Sequence, residues 1–216
     1  MNILCFTDSR GQHKDTFCNQ KIFTERLRDE LGARVILCPF KWTTTLDFLY
    51  SIVSKTLKIR DYDKVILYTG VVEFSPRPIS NYEQCYATKK HFLTREDGIE
   101  YDVEYKGEKT KSLISINYYE KVVIPTLQTL GERLILINTN KIASGWDGNY
   151  LKVNPIGRPK NIGVVADYSA KTLGKFQNLI NLLEWNDEDI KRYTVDNMHL
   201  THDGSEYIYN KLLEIL

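Results

Sequence analysis

The sequence predicts an α/β fold: a three-layer α/β/α sandwich around a mostly parallel, flavodoxin-like sheet of about five strands. Three observations carry this. Short, continuous apolar runs of the kind that suits strands buried on both faces recur at residues 2–6, 34–38, 64–68 and 134–138. Between them lie stretches whose apolar residues fall at helical spacing. Glycine or proline stands where one kind of element gives way to another, at Gly32, Pro39, Gly70 and Gly131.

Residues 2–6 form the expected central strand, bounded by Thr7-Asp8-Ser9. Over residues 15–31, Phe17, Ile22, Phe23, Leu27 and Leu31 follow a helical period and Gly32 stops it, which gives the first crossover helix. A second strand at 34–38 ends at Pro39, and a second helix at 46–57 starts behind the capping cluster Thr43-Thr44-Thr45. A third strand, 64–68, ends at Thr69-Gly70. Residues 71–111 are then too long for an ordinary connection and read as an insertion with its own structure. Within it, 100–105 and 109–116 flank Lys106-Gly107 as a β-hairpin. Residues 118–130 read as helix despite Pro125, and a fourth strand follows at 134–138. The Gly-, Asn- and Pro-rich stretch 139–167, with Trp146, Asp147 and Arg158, reads as loop over the site. Residues 172–183 are amphipathic, and 187–193 are a short helix or a turn. A last helix begins behind Asp203-Gly204-Ser205-Glu206, which has capping-box form, with Ile208, Leu212, Ile215 and Leu216 as its apolar stripe.

At 216 residues the chain can build one sizeable core and contains no linker, so the expectation is one domain, 1–216. Hydrophobic residues at 42% and charged residues at 26% are ordinary for a globular protein, and a net charge of +1 offers no general attraction to nucleic acid. No apolar stretch approaches the roughly 20 residues needed to span a bilayer. The N-terminus enters a strand with no basic leader, so a cytoplasmic protein is expected. Cys5, Cys18, Cys38 and Cys85 lack the spacing of a zinc site or redox dithiol and read as reduced, structural thiols. No metal or organic cofactor is called for.

Candidate chemistry lies at the two ends of the chain. In Asp196-Asn197-Met198-His199-Leu200-Thr201-His202-Asp203-Gly204, an Asp three residues ahead of a His on a non-helical segment can return its carboxylate to the imidazole Nδ1. That fixes the tautomer and leaves Nε2 free to take a proton. At the other end, Ser9 of Asp8-Ser9-Arg10 sits at the carboxyl end of the first strand. Ligands of parallel sheets bind there, along a rim that also holds the Trp42 region and Gly70.

An Asp-Ser pair after the first strand, with a terminal Asp-x-x-His-Leu-Thr-x-x-Gly, resembles the SGNH/GDSL hydrolase family. The resemblance implies Ser9 as nucleophile, His199 as general base and Asp196 as its orienting carboxylate. It also implies an oxyanion Gly after the second strand, and residues 39–43 contain none; the backbone N–H there survives that departure. The family's Gly-x-Asn-Asp stands here as Gly70-Val71-Val72-Glu73, so Val72 brings no side-chain donor. Arg10, Trp42, Gly70, Glu73 and Arg77 are the candidate oxyanion or substrate-binding residues. Ser75, Asn138 and Asn140 are further candidates to replace the missing donor. Arg10, Arg77 and Arg158 suit an anionic subsite, and Trp42 and Trp146 suit sugar rings.

The expected activity is a serine esterase that removes an acyl group such as acetyl from a carbohydrate or related small-molecule ester through an acyl-enzyme on Ser9. An O-acyltransferase using the same triad is the second enzyme reading. A catalytically degenerate glycan- or anion-binding member is the reading from another class, motivated by Val72.

Overall fold

The structure, a computed structural model, describes residues 1–12 and 20–216. It runs β1 (Ile3–Thr7), α1 (Phe23–Leu31), β2 (Arg34–Leu37), α2 (Thr45–Val53) and β3 (Lys64–Tyr68). The intervening segment holds a short α3 (Val71–Phe74), β4 (Arg77–Pro78), α4 (Ile79–Ala87), β5 (Ile99–Tyr105) and β6 (Glu108–Ser112). Next come α5 (Ile116–Tyr118), a π-turn (Tyr119–Val123) that leads directly into α6 (Ile124–Gln128), and β7 (Leu134–Ile137). The chain ends with α7 (Tyr150–Val153), α8 (Val164–Ala170), β8 (Asn178–Ile180), α9 (Asp187–Tyr193) and α10 (His202–Leu213).

Five strands form one sheet in the order β2-β1-β3-β7-β8, every pair parallel. In chain order this is second-first-third-fourth-fifth, the flavodoxin-like winding, whose reversal of direction lies between β1 and β3. Alternate residues of β1 feed opposite layers because side chains alternate along a strand. Leu4 and Phe6 join Phe48, Val123 and Leu127 on one face, while Ile3 and Cys5 join Phe23, Leu27, Ile208 and Leu212 on the other. Both faces are therefore buried, which is why the run is apolar throughout. The segment after β3 builds a separate three-stranded sheet, β4-β6-β5, antiparallel in both pairings. Its hairpin turns on Lys106 and Gly107, both at positive φ (58° and 77°), the backbone that suits a two-residue turn.

Several sequence expectations need correction. The first crossover helix begins at Phe23 with Ile22 as its N-cap residue. Asp15, Phe17 and Cys18 lie outside the described residues. The second helix ends at Val53 rather than 57. Residues 172–183 hold the edge strand β8: α8 stops at Ala170, Gly174 takes φ +67°, and Asn178–Ile180 pairs with β7. Residues 139–167 are not all loop, since they contain α7 and the start of α8. The last helix is capped by Thr201, whose hydroxyl accepts the Gly204 N–H, and Asp203 lies inside its first turn. Cys5, Cys38 and Cys85 are free thiols, two of them buried. Among the described residues no helix is long and apolar enough to cross a membrane.

Candidate active site

Ser9 opens a single 3-10 turn, Ser9–Gly11, immediately beyond β1. The turn is shaped by its predecessor, because the Asp8 carboxylate accepts the Arg10 backbone N–H at 3.0 Å. Gly11 is required for close packing: a Cβ there would lie 2.5 Å from the Thr7 side chain. The Ser9 hydroxyl is thus set at the carboxyl end of the central strand, beside the point where the sheet reverses its winding.

His199 reaches it from the far end of the chain. Thr194 and Leu200 form an isolated antiparallel bridge, Val195 N–H donates to the His199 carbonyl at 2.8 Å, and Thr201 N–H donates to the Tyr193 carbonyl at 2.9 Å. Residues 193–201 are therefore a closed loop with His199 at its edge. Gly204 permits the closure, since a Cβ would fall 2.1 Å from the Tyr193 carbonyl oxygen. Gly148 permits a second approach, at φ +51°, with the Val195 carbonyl 2.3 Å from where its Cβ would be.

The result is a continuous chain of polar contacts. Ser9 Oγ lies 3.1 Å from His199 Nε2, and His199 Nδ1 lies 2.8 Å from Asp196 Oδ2. A carboxylate only accepts, so Nδ1 carries the proton and Nε2 presents its lone pair to the serine hydroxyl. The other carboxylate oxygen, Oδ1, accepts the backbone N–H groups of Met198 (3.1 Å) and His199 (2.8 Å). Burial pushes the Asp196 carboxyl up, but the His199 hydrogen bonds and the charges of His199 and Arg158 outweigh it and hold the group below its ordinary value. Arg158 Nη2 donates to the Asp196 carbonyl and lies 3.6 Å from its Oδ2.

One residue that the sequence reading did not single out positions this loop. Asn197 is fully buried at φ +68°, a backbone that Asn tolerates better than most side chains. Its amide donates to the Trp146 carbonyl and accepts the Ala143 N–H, and its own carbonyl accepts from Asn140. The signal available in sequence was an Asn between the paired Asp and His.

The remaining candidates sort differently from their sequence expectation. Arg10 is not a substrate or oxyanion contact: it is 2% exposed, forks onto Asp8 at 3.0 Å and stacks 4.0 Å over the Tyr68 ring. Glu73 is not one either. It is fully buried, its Oε1 accepts the Thr45 backbone N–H at 2.8 Å, and burial pushes its carboxyl up to about 7, with the Thr45 hydrogen bonds pulling down and the Asp8 charge adding to the rise. Gly70 serves as backbone, at φ 125°, where a Cβ would meet the Phe74 ring at 2.8 Å. Trp42 is half-buried against the core with Lys41 Nζ 4.3 Å from its ring. Its φ of +58° puts the loop after β2 into the conformation glycine favours although no glycine is there.

Of the proposed replacement donors, Asn138 is held by Asn181, Thr172 and the Leu182 N–H, and Asn140 by the carbonyls of Lys141 and Asn197. Arg77 donates to the Val72 and Ser75 carbonyls. With Ser75 and Arg158 it lines a cavity of about 180 Å³, and Trp146 and Arg158 line a neighbouring one of about 500 Å³.

The structure is a three-layer α/β/α fold with a parallel five-stranded sheet and a Ser-His-Asp array at its carboxyl rim. More narrowly, the fold is SGNH/GDSL-hydrolase-like. It is similar to a lipase/acylhydrolase from Enterococcus faecalis (TM-score 0.56, 14% identity, 99% of this chain and 93% of that one). It is also similar to a protein ascribed to the G-D-S-L lipolytic family from Desulfitobacterium hafniense (TM-score 0.53, 9% identity, 100% and 99%). A catalytic mutant of an acetylxylan esterase from Geobacillus stearothermophilus gives a TM-score of 0.50 at 14% identity, covering 99% and 93%. No family model and no curated protein matches the sequence.

Proposed function

We propose that this protein is a serine ester hydrolase, acting on an acylated carbohydrate or related small ester. The observation that carries the reading is the unbroken contact chain from Ser9 Oγ through His199 to Asp196. In the proposed reaction His199 Nε2 takes the hydroxyl proton as Ser9 Oγ bonds to the acyl carbon. The tetrahedral adduct then expels the alcohol, which receives that proton from His199. Water, deprotonated by the same nitrogen, attacks the acyl-serine, and the adduct releases the acid as His199 returns the proton to Ser9 Oγ. Asp196 holds the imidazole in the required tautomer and stabilises it while it is charged. The sugar part of the reading takes its support from the likeness to an acetylxylan esterase. The same acyl-enzyme handed to a sugar hydroxyl would make the protein an O-acyltransferase, and acceptor-dependent turnover separates the two.

One observation favours a binding-only reading instead. Val72 offers no side-chain donor, and Arg10, Asn138 and Asn140 are committed elsewhere. Loss of one oxyanion donor costs about a hundredfold or more in rate. The test is hydrolysis of a small activated acetate ester by wild type, Ser9→Ala and His199→Ala, each first checked for folding. Loss of activity in both variants is the expected result. A rate unchanged by either substitution would sink the mechanism, and a wild type inert toward activated and natural esters alike would favour binding without chemistry.

A further inference from the structure

The role of the segment between β3 and α5 follows from what it contributes to the 180 Å³ cavity. Its small sheet brings Ser75, Arg77, Tyr105 and Lys106 to one side, and the loop around α7 brings Tyr150 and Arg158 to the other. Arg77 is held on the stiff stretch Pro76-Arg77-Pro78, and β4 pairs with β6. Its donations to the Val72 and Ser75 carbonyls orient the guanidinium and use two of its five N–H groups. Among the described residues no carboxylate lies within ion-pairing distance of Arg77, although it is partly buried and burial lowers its pKa against the smaller opposing effect of Cys85, Glu73 and Tyr150. A partly desolvated guanidinium with no ion-paired carboxylate is a position that an anion can complete.

Two further observations point the same way. Ser75 lines the cavity, and its buried hydroxyl has no hydrogen-bond partner among the described residues. Lys106, on the hairpin turn, lines it too, and its ammonium stands 5.4 Å from the Tyr105 ring with no ion pair among the described residues. Arg158 behaves differently. Asp147 and Asp196 each lie 3.6 Å from its guanidinium, and Tyr150 stacks 3.9 Å beneath it. Its charge is already matched, and it serves as the wall between the cavity and the triad carboxylate.

We propose that this cavity is an anion-binding subsite centred on Arg77, with Ser75 and Lys106 as further donors, and that it takes a carboxylate or phosphate group carried by the substrate. The insertion is then the part of the chain that selects the substrate, and Arg158 couples the occupied subsite to Asp196. The assignment of the anion to a substrate rests on the esterase reading. Binding of the anion does not.

The experiment titrates inorganic phosphate, glucuronate and, as the neutral control, glucose into full-length Ser9→Ala protein by calorimetry, so that no turnover intervenes. Saturable, salt-sensitive binding of at least one anion and none of glucose is expected. Arg77→Met weakens it by about tenfold or more, the loss of a charge-assisted contact. Lys106→Gln, on an exposed turn where folding is not at stake, weakens it by a smaller factor. Phosphate alone binding assigns a phosphate group, and glucuronate binding assigns a carboxylate. Absence of saturable binding by both anions, or binding unchanged in Arg77→Met and Lys106→Gln, overturns the proposal. Should Arg77→Met not fold, Lys106→Gln carries the test. Where glucuronate binds, acetylated glucuronate is preferred to acetylated glucose in kcat/KM in the wild-type background, and Arg77→Met removes the preference. If Ser9→Ala left turnover intact, the esterase reading would fail while the binding result stood.

Discussion

Glu73→Gln should change the pH dependence of stability more than stability itself. The carboxyl is fully buried between the loop after β2 and the loop after β3, with one oxygen on the Thr45 N–H and the other unpartnered among the described residues. Its pKa rises from 4.5 to about 7, chiefly through burial. Because the folded form binds this proton more tightly than the unfolded form, the contribution is fully present below 4.5 and is lost as pH rises through about 7. A rise of about 2.5 units corresponds to about 3 kcal/mol at 1.36 kcal/mol per unit. Glutamine keeps the acceptor for Thr45 but cannot ionise. Its amide also introduces a buried donor without a partner, at a cost of about 1–3 kcal/mol that is the same at every pH. The informative quantity is therefore the variant-minus-wild-type difference at two pH values. Denaturant unfolding of both proteins should show that difference moving in favour of the variant by about 2–3 kcal/mol between about pH 5 and pH 8. A difference constant across that range, or moving the other way, would refute the argument that burial governs this carboxyl.

Three further perturbations test other links. Val72→Asn restores the amide that the family pattern has at this position, and if oxyanion stabilisation limits the rate, kcat on an activated ester should rise by about tenfold to a hundredfold; no change would remove the missing donor as the limit. Gly204→Ala forces a Cβ onto the Tyr193 carbonyl at 2.1 Å and should destabilise by about 2–3 kcal/mol or more, read by thermal unfolding. It should also lower activity in the folded fraction, because the same carbonyl anchors Thr201 and closes the His199 loop. Lys89→Met strips the partner from Asp47 in a buried pair whose side chains are 1% and 6% exposed, at 2.7 and 2.8 Å. Unfolding free energy should fall by about 3–5 kcal/mol, and Lys89→Arg should lose less.

The sheet and the Asp196–His199 pair were legible in the sequence because both are local signals. Four apolar runs marked four strands, and an Asp and His three apart on a non-helical stretch marked the Asp196–His199 pair. The fifth strand was not legible, since Asn178–Ile180 is too short to show a period and becomes a strand by pairing with β7. The fates of Arg10 and Glu73 were hidden for another reason. Charged residues near a rim look available in sequence, whereas Arg10 is closed onto its own neighbour Asp8 and Glu73 is turned inward to hold the Thr45 N–H. Trp42 could not be read as a left-handed residue, because nothing but the closing of the loop requires it. The cavity around Arg77 joins residues about eighty positions apart, a juxtaposition only the folded small sheet creates.

The proposed reaction makes two requirements, which fall to different parts of the chain. Proton transfer needs three side chains in line, and the closed loop 193–201, held by backbone contacts and the buried Asn197 amide, sets His199 and Asp196 against Ser9. Charge stabilisation needs donors aimed at the carbonyl oxygen, and at Val72 that part is reduced. A site weak in oxyanion donors gains most from binding energy realised away from the reacting bond, which holds the carbonyl in a near-attack position. The proposed subsite offers that energy, with Arg158 as the wall it shares with Asp196. It follows that adding the anionic group to an acetyl ester should raise kcat and not only lower KM. If the anion lowered KM while kcat stayed level, the subsite would be contributing uniform binding, and the rate would have to be traced to donors near Ser9 instead.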